Sequence, residues 1–113
     1  GEFDIVIANF FLNVFDEDKM NTLLNHLLKL CRTNGQIIIG DFCPPKGGVV
    51  GKAVHQVYWY AAATAFFAIA GNAIHTIYDY RKILEQKNLK IQDEQFFSFM
   101  GHEYYHSLLA VKK

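Results

Sequence analysis

The stretch from Phe3 to Phe42 most constrains what this chain can fold into. Two near-continuous apolar segments, Phe3–Ala8 (FDIVIA) and Gln36–Phe42 (QIIIGDF), bracket a single amphipathic stretch. Apolar runs rich in β-branched residues fit strands buried on both faces, as in a parallel sheet. Between them, Met20, Leu23, Leu24, Leu27, Leu28 and Cys31 recur at spacings of three and four, which is one apolar helix stripe. Asp16 can cap the start of that helix, and Glu17 and Asp18 complement its positive end. Lys29 and Arg32 fall in the last turn, and Asn34-Gly35 supplies a left-handed stop. Strand, helix and strand within about forty residues form a βαβ unit, whose parallel crossover is right-handed.

The rest of the chain extends this unit. Pro44–Gly51 (PPKGGVVG) reads as a loop, and Lys52–Ala70 as a helix that is apolar on most sides and stops at Gly71-Asn72. A short helix over Asp79–Lys87, capped by Asp79, precedes two strands, Leu89–Phe99 and Tyr105–Lys112, with Gly101 in the turn between them. The sequence therefore predicts one α/β domain in three parts: a βαβ unit over 1–43, a helical segment over 44–78, and a helix plus antiparallel hairpin over 79–113. With 51% hydrophobic and 19% charged residues, the composition is that of a packed chain. Eleven basic against eleven acidic residues give no basic footprint, which argues against a nucleic-acid partner. Two cysteines, Cys31 and Cys43, are too few for a disulfide scaffold and read as free thiols of a reducing, cytoplasmic compartment. The uninterrupted apolar run Val57–Ala70 is 14 residues. That is short of the ~20 that span a bilayer.

The wording of these segments resembles the second half of a class I methyltransferase that uses S-adenosylmethionine. FDIVIANFFLNVFDED looks like the family's fourth strand and the loop after it. LLKLCRTNGQIIIGDF resembles its helix end and fifth strand, with Thr33-Asn34-Gly35 where members often carry Pro-Gly-Gly. IYDYRKILEQKNLKI resembles the later helix and sixth strand, and YYHSLLAVKK the seventh. The resemblance implies the C-terminal half of a Rossmann-like doubly wound sheet, with a helical lid segment and an antiparallel C-terminal hairpin. It also implies S-adenosylmethionine as cofactor. The family's glycine-rich turn after its first strand, and the acidic residue after its second that binds the ribose, have no counterpart among these residues. The chain begins with Gly1 rather than Met and enters its first strand at once. The expectation is therefore a partial domain that lacks most of the cofactor pocket and is inactive alone. An exposed apolar edge at Phe3–Ala8 would then pair with a second copy.

In open α/β sheets, ligands sit outside the carboxyl ends of the strands. By resemblance, Ala8, Asn9 and Phe10 would face the methionine end of the cofactor, with Asn13 and Phe15 at the mouth. Asn9 and Asn13 equally suit capping of the loop itself. Asp41 could bind a polar substrate group, but satisfying neighbouring backbone N–H groups is the simpler role. The segment after the fifth strand often forms part of a lid in the resembled family. Its aromatics suit a small apolar or aromatic acceptor, with Tyr58, Phe66 and Tyr78 as substrate-binding residues, although core packing accounts for many of them. His55 and His75 are candidate bases near that lid, or structural histidines.

Two further motifs are weaker. His102-Glu103-Tyr104-Tyr105-His106 spells H-E-x-x-H, a zinc-peptidase pattern that requires a helix. Here the segment reads as turn and strand, and Ser107–Lys113 offers no third ligand, so no metal is expected. The phosphate-loop-like run Lys46–Ala53 has Lys46 where the first Gly belongs and Ala53 where Ser or Thr belongs.

Overall fold

The computed structural model describes residues 1–44, 48–71, 75, 77–99 and 102–113, with the backbone alone at 66, 69, 70, 99 and 102. The element order is β1 (Phe3–Asn9), a 3-10 turn (Leu12–Val14), α1 (Glu17–Leu30), β2 (Cys31–Phe42), α2 (Val49–Ala70), α3 (Tyr80–Gln86), β3 (Leu89–Phe99) and β4 (His102–Lys112). The sheet order is β1-β2-β4-β3. β1 runs parallel to β2, whereas β4 runs antiparallel to both β2 and β3. The predicted βαβ unit and C-terminal hairpin are both present, and the last strand lies between the second and the third. Gly101, placed in the hairpin turn by sequence, lies outside the described residues.

Local chemistry sets the helix ends. The Asp16 carboxylate accepts from Lys19 N at 3.0 Å and Asp79 accepts from Lys82 N at 3.2 Å, each meeting one otherwise unpaired donor in a first turn. Gly71 closes α2 in the left-handed conformation (φ 71°), its N–H reaching Phe67 O at 3.0 Å. Asn34 (φ 66°), not Gly35, takes the left-handed conformation between α1 and the regular part of β2. Three boundaries differ from the sequence expectation. α2 begins at Val49 rather than Lys52, because Gly48 serves as its N-cap and a first turn needs no inward apolar residue. β2 starts at Cys31 and β4 at His102, because irregular residues at both ends still pair with a neighbouring strand.

The register explains the packing. Val6, Ala8, Ile37, Ile39, Leu108 and Ala110 share one face of the sheet, and this face carries the main core. Met20 and Leu24 from α1, and Tyr80 and Leu84 from α3, close over it. Ile5, Ile7, Ile38 and Leu109 share the other face, where Ile5 is 52% exposed and Ile7 58%. The expectation that β1 is buried on both faces is therefore corrected. β1 is an edge strand among the described residues, with one face packed and one open, because α1 crosses on one side only. α2 sits elsewhere. It packs Trp59 and Ala63 against Phe42, with Tyr105 alongside, at the carboxyl end of β2.

A test of this packing compares two substitutions in α1. Leu24→Ala, at a fully buried position, should cost about 2–5 kcal/mol of unfolding free energy in a urea titration. Asp16→Ala, which removes the cap, should cost about 1 kcal/mol. Equal small losses would mean that α1 does not seal the core.

Candidate functional site

The carboxyl ends of β1 and β2 lie side by side, with Asn9 paired to Gly40. Gly40 is where a close approach requires the absence of a side chain: a Cβ there would lie 2.6 Å from Asn9 Oδ1. The Asn9 carboxamide thus lies over the Gly40 backbone. Phe10 then turns left-handed (φ 51°) and donates its N–H to Gly40 O at 2.7 Å. For a bulky residue this conformation costs about 1–3 kcal/mol and persists only where surroundings enforce it. Here Phe10 is held edge-on to Phe42 (6.0 Å) and Tyr105 (5.7 Å), with about half of its surface open. The turn sends the 3-10 segment back across the sheet end and leaves Phe10 and Phe11 at the rim.

Beneath this rim lies a buried polar seam on the helix-covered face. Asp41 accepts from the Phe42 N–H at 2.8 Å and from the Tyr80 hydroxyl at 3.0 Å, and it also hydrogen-bonds the Asn13 side chain. Burial raises the Asp41 pKa from 3.8 to about 6, while those three hydrogen bonds and the charge of His75 pull it down. The Tyr80 hydroxyl is held far above its ordinary range by burial, by the Asp41 charge and by its hydrogen bond. Directly across the β2–β4 ladder from Asp41 stands His106, equally buried. Its Nδ1 meets Glu94 Oε2 at 2.8 Å, and Arg81 donates to Glu94 Oε1 at 2.7 Å. Burial works to raise the Glu94 pKa, but the hydrogen bonds and charges of His106 and Arg81 outweigh it and the value falls.

His75 joins the seam to α2. Its Nε2 lies 2.6 Å from Asn13 O, its carbonyl accepts from Trp59 Nε1 at 2.8 Å, and its ring stacks on Tyr78 at 4.1 Å. The Tyr78 hydroxyl in turn donates to Phe15 O at 2.8 Å, and burial places its pKa well above the usual value. A second aromatic group extends from Phe42. Tyr58 stacks on Tyr104 at 4.3 Å, and its hydroxyl hydrogen-bonds that of Tyr105. Burial, with Tyr58 and Tyr104 nearby, pushes the Tyr105 pKa up to about 12.

The sequence-predicted residues therefore separate. Ala8, Asn9, Phe10, Asn13, His75 and Tyr78 gather at the strand ends. Asn13 turns its side chain toward Asp41, and Tyr78 is buried, so both brace the loop between β1 and α1. Tyr58 lies in the aromatic cluster of α2. His55 is completely buried, its ring edge-on to Tyr104 at 5.0 Å. The Phe66 side chain lies outside the described residues. Asp41 takes the backbone-satisfying role expected of it and adds Tyr80, a partner that spacing alone does not reveal. The HEYYH run lies in β4 rather than on a helix, and its His106 is engaged by Glu94. Among the described residues no cluster of three metal-ligating groups occurs, and no helix is long and apolar enough to cross a membrane.

No family model matches the sequence, and a search of curated proteins finds no match. Solved structures do match in fold. An O-methyltransferase family 2 protein from Planctomyces limnophilus, in complex with apigenin, superposes with a TM-score of 0.64 at 16% identity, over 97% of this chain and 31% of its own. Magnesium protoporphyrin IX methyltransferase from Synechocystis, with bound S-adenosylhomocysteine, gives 0.63 at 22% identity, over 100% of this chain and 46% of its own. LepI, in complex with S-adenosylmethionine, gives 0.64 at 12% identity over 96% and 26%. The chain thus has a mixed α/β fold similar to part of methyltransferase folds, and it spans less than half the length of these structures.

The Asp41 seam predicts a pH dependence. The folded-state pKa lies above the unfolded one, at about 6 against 3.8. Folded Asp41 therefore holds a proton that the unfolded chain has released, and stability falls as pH rises from about 4 to about 6. The loss is complete above that window, on the order of 3 kcal/mol. Glu94, with its lowered value, contributes with the opposite slope. In urea unfolding across this range, Asp41→Asn should flatten the slope; an unchanged slope would place its origin elsewhere.

Proposed function

We propose that this chain forms the C-terminal half of an S-adenosylmethionine-dependent methyltransferase acting on a small apolar or aromatic acceptor. The observation that supports this most is topological. The order β1-β2-β4-β3, with a parallel crossover followed by an inserted antiparallel hairpin, superposes over nearly its whole length on proteins crystallised with this cofactor or its product. Fold alone does not fix chemistry, so the reading also draws on the strand ends.

Those ends suit one wall of a cleft for a sulfonium-bearing amino acid. The Asn9 carboxamide presents a donor and an acceptor, a pair that matches an ammonium and a carboxylate. The half-open Phe10 ring offers a π-face to a cation. The resembled family's glycine-rich turn after its first strand has no counterpart in this sequence, so in this reading N-terminal strands outside these residues supply the other walls. When bound, the cofactor supplies an electrophilic methyl group for in-line displacement. The chain's own part is positioning and water exclusion. Phe10, flanked by Tyr105 and backed by the buried Phe42 and by Tyr58, forms an aromatic shelf for the acceptor. His75, fixed by Asn13 O and Tyr78, is the base for an acceptor that must lose a proton.

Calorimetric titration of S-adenosylhomocysteine tests this reading. The 113-residue chain should not bind it appreciably, whereas the chain joined to its upstream coding sequence should. Binding by the chain alone would overturn the half-site account, and binding by neither would overturn the function.

A second reading, a non-catalytic half-domain that self-associates, draws on β1, where Phe3 is 56% exposed and Ile5 and Ile7 are similarly open. An open apolar edge is a template for strand pairing. Sedimentation should show the isolated chain as a dimer or larger species, and Ile5→Lys should shift it toward monomer. A monomer at high concentration would remove this reading.

A further inference from the structure

A pocket lies at the opposite end of the sheet from Asn9 and Asp41. It is a cavity of about 570 Å³ where the end of α1, the turn after α3, the start of β3 and the end of β4 meet. Every ionisable side chain that lines it is a lysine: Lys29, Lys87, Lys112 and Lys113. Asn25 and Asn88 add carboxamides, and Leu28 and Leu89 form the apolar part of the wall. In a chain of zero net charge, this concentration of one sign is a local feature.

The fold holds two of these ammonium groups in place. Lys112 Nζ donates to Leu28 O at 2.8 Å and to Cys31 O at 2.9 Å, which neutralises the carbonyl end of α1. Lys87 Nζ donates to Asn25 Oδ1 at 2.8 Å, which ties the turn after α3 to α1. Asn88 sits in the left-handed conformation (φ 65°) between them, so the chain doubles back and brings Lys87 and Leu89 to the same cavity. An ammonium with three donors, two of them on carbonyls, can still give one to a ligand. The α1 carbonyls oppose an anion, but the partial negative charge of a helix end, about half a unit, is small against four lysines.

We propose that this pocket binds a small polyanion carrying phosphate groups, at a site separate from the strand-end cleft. The volume fits a compact ligand of diphosphate or nucleotide size better than an extended chain. Ammonium groups recognise phosphate as point charges, without the planar geometry an arginine fork imposes. The proposal stands independently of the methyltransferase reading, since it uses none of the strand-end residues.

The test is a titration of the isotopically labelled 113-residue chain with sodium pyrophosphate, followed by amide chemical shifts. Adenosine triphosphate and poly-glutamate serve as parallel probes. Pyrophosphate should shift Asn25, Lys87, Asn88, Leu89 and Lys112. The neutral double variant Lys29→Gln/Lys87→Gln should bind about tenfold more weakly, and Lys19→Gln, on α1 outside the pocket, should bind as the parent does. Far-UV circular dichroism and a thermal melt confirm that each variant is folded. Tighter binding of adenosine triphosphate than of pyrophosphate would identify a nucleotide as the source of the phosphates, and equal binding would identify free phosphates. The proposal is overturned if the shifts spread over all lysines alike, if the double variant binds as tightly as the parent, or if only poly-glutamate binds.

Discussion

Strand β2 is the constraint on which the rest of the structure depends. It hydrogen-bonds to β1 in parallel and to β4 antiparallel, so the sheet changes character across this one strand. A parallel neighbour forces a crossover, and α1 provides it. An antiparallel neighbour brings back a strand from the far end of the sequence. Side chains more than sixty positions apart therefore meet at the carboxyl end of β2, where Asp41 faces His106 and Phe42 faces Tyr105.

The pleat sorts these neighbours into two chemistries. Asp41 and His106 point to the helix-covered face, where water is excluded and each polar group needs a partner. Tyr80, Asn13 and Glu94 supply those partners from α3, the 3-10 turn and β3. Phe42 and Tyr105 point the other way and join Tyr58 and Trp59 of α2. One residue of register thus separates a polar seam that braces the loop from the aromatic cluster that packs against α2. A one-residue slip of β2 would exchange the two faces and lose both.

What the sequence makes legible is what local chemistry decides. The caps at Asp16, Asp79 and Gly71, the apolar stripe of α1 and the bounds of β3 all follow from residues within one or two turns of each other. The exposure of β1 does not, because its apolar run is the same whether or not a layer covers its second face. The position of β4 between β2 and β3 is equally hidden, since a hairpin pattern does not say which of its strands joins the sheet. In the site, Ala8, Asn9 and Phe10 were legible as a strand end by their place at the close of the apolar run of β1. The left-handed turn at Phe10 was not, because Phe carries no local signal for it. Asp41 was legible as an acceptor for neighbouring backbone N–H groups, but Tyr80, 39 residues later, was not legible as its partner. His55 and His75 looked equivalent in sequence. The fold puts His75 against the Asn13 loop and buries His55 against Tyr104.

The proposed methyltransferase role requires Ala8, Asn9 and Phe10 to form the wall that holds the amino-acid end of S-adenosylmethionine. A crystal structure with S-adenosylhomocysteine, of this chain together with the N-terminal strands that the proposal requires, tests this most directly. The account predicts the homocysteine end against the Asn9 carboxamide and the Phe10 ring, with the Asp41–Tyr80 pair still closed beneath them. A ligand bound away from the ends of β1 and β2, with Asn9 and Phe10 turned to solvent, would contradict it.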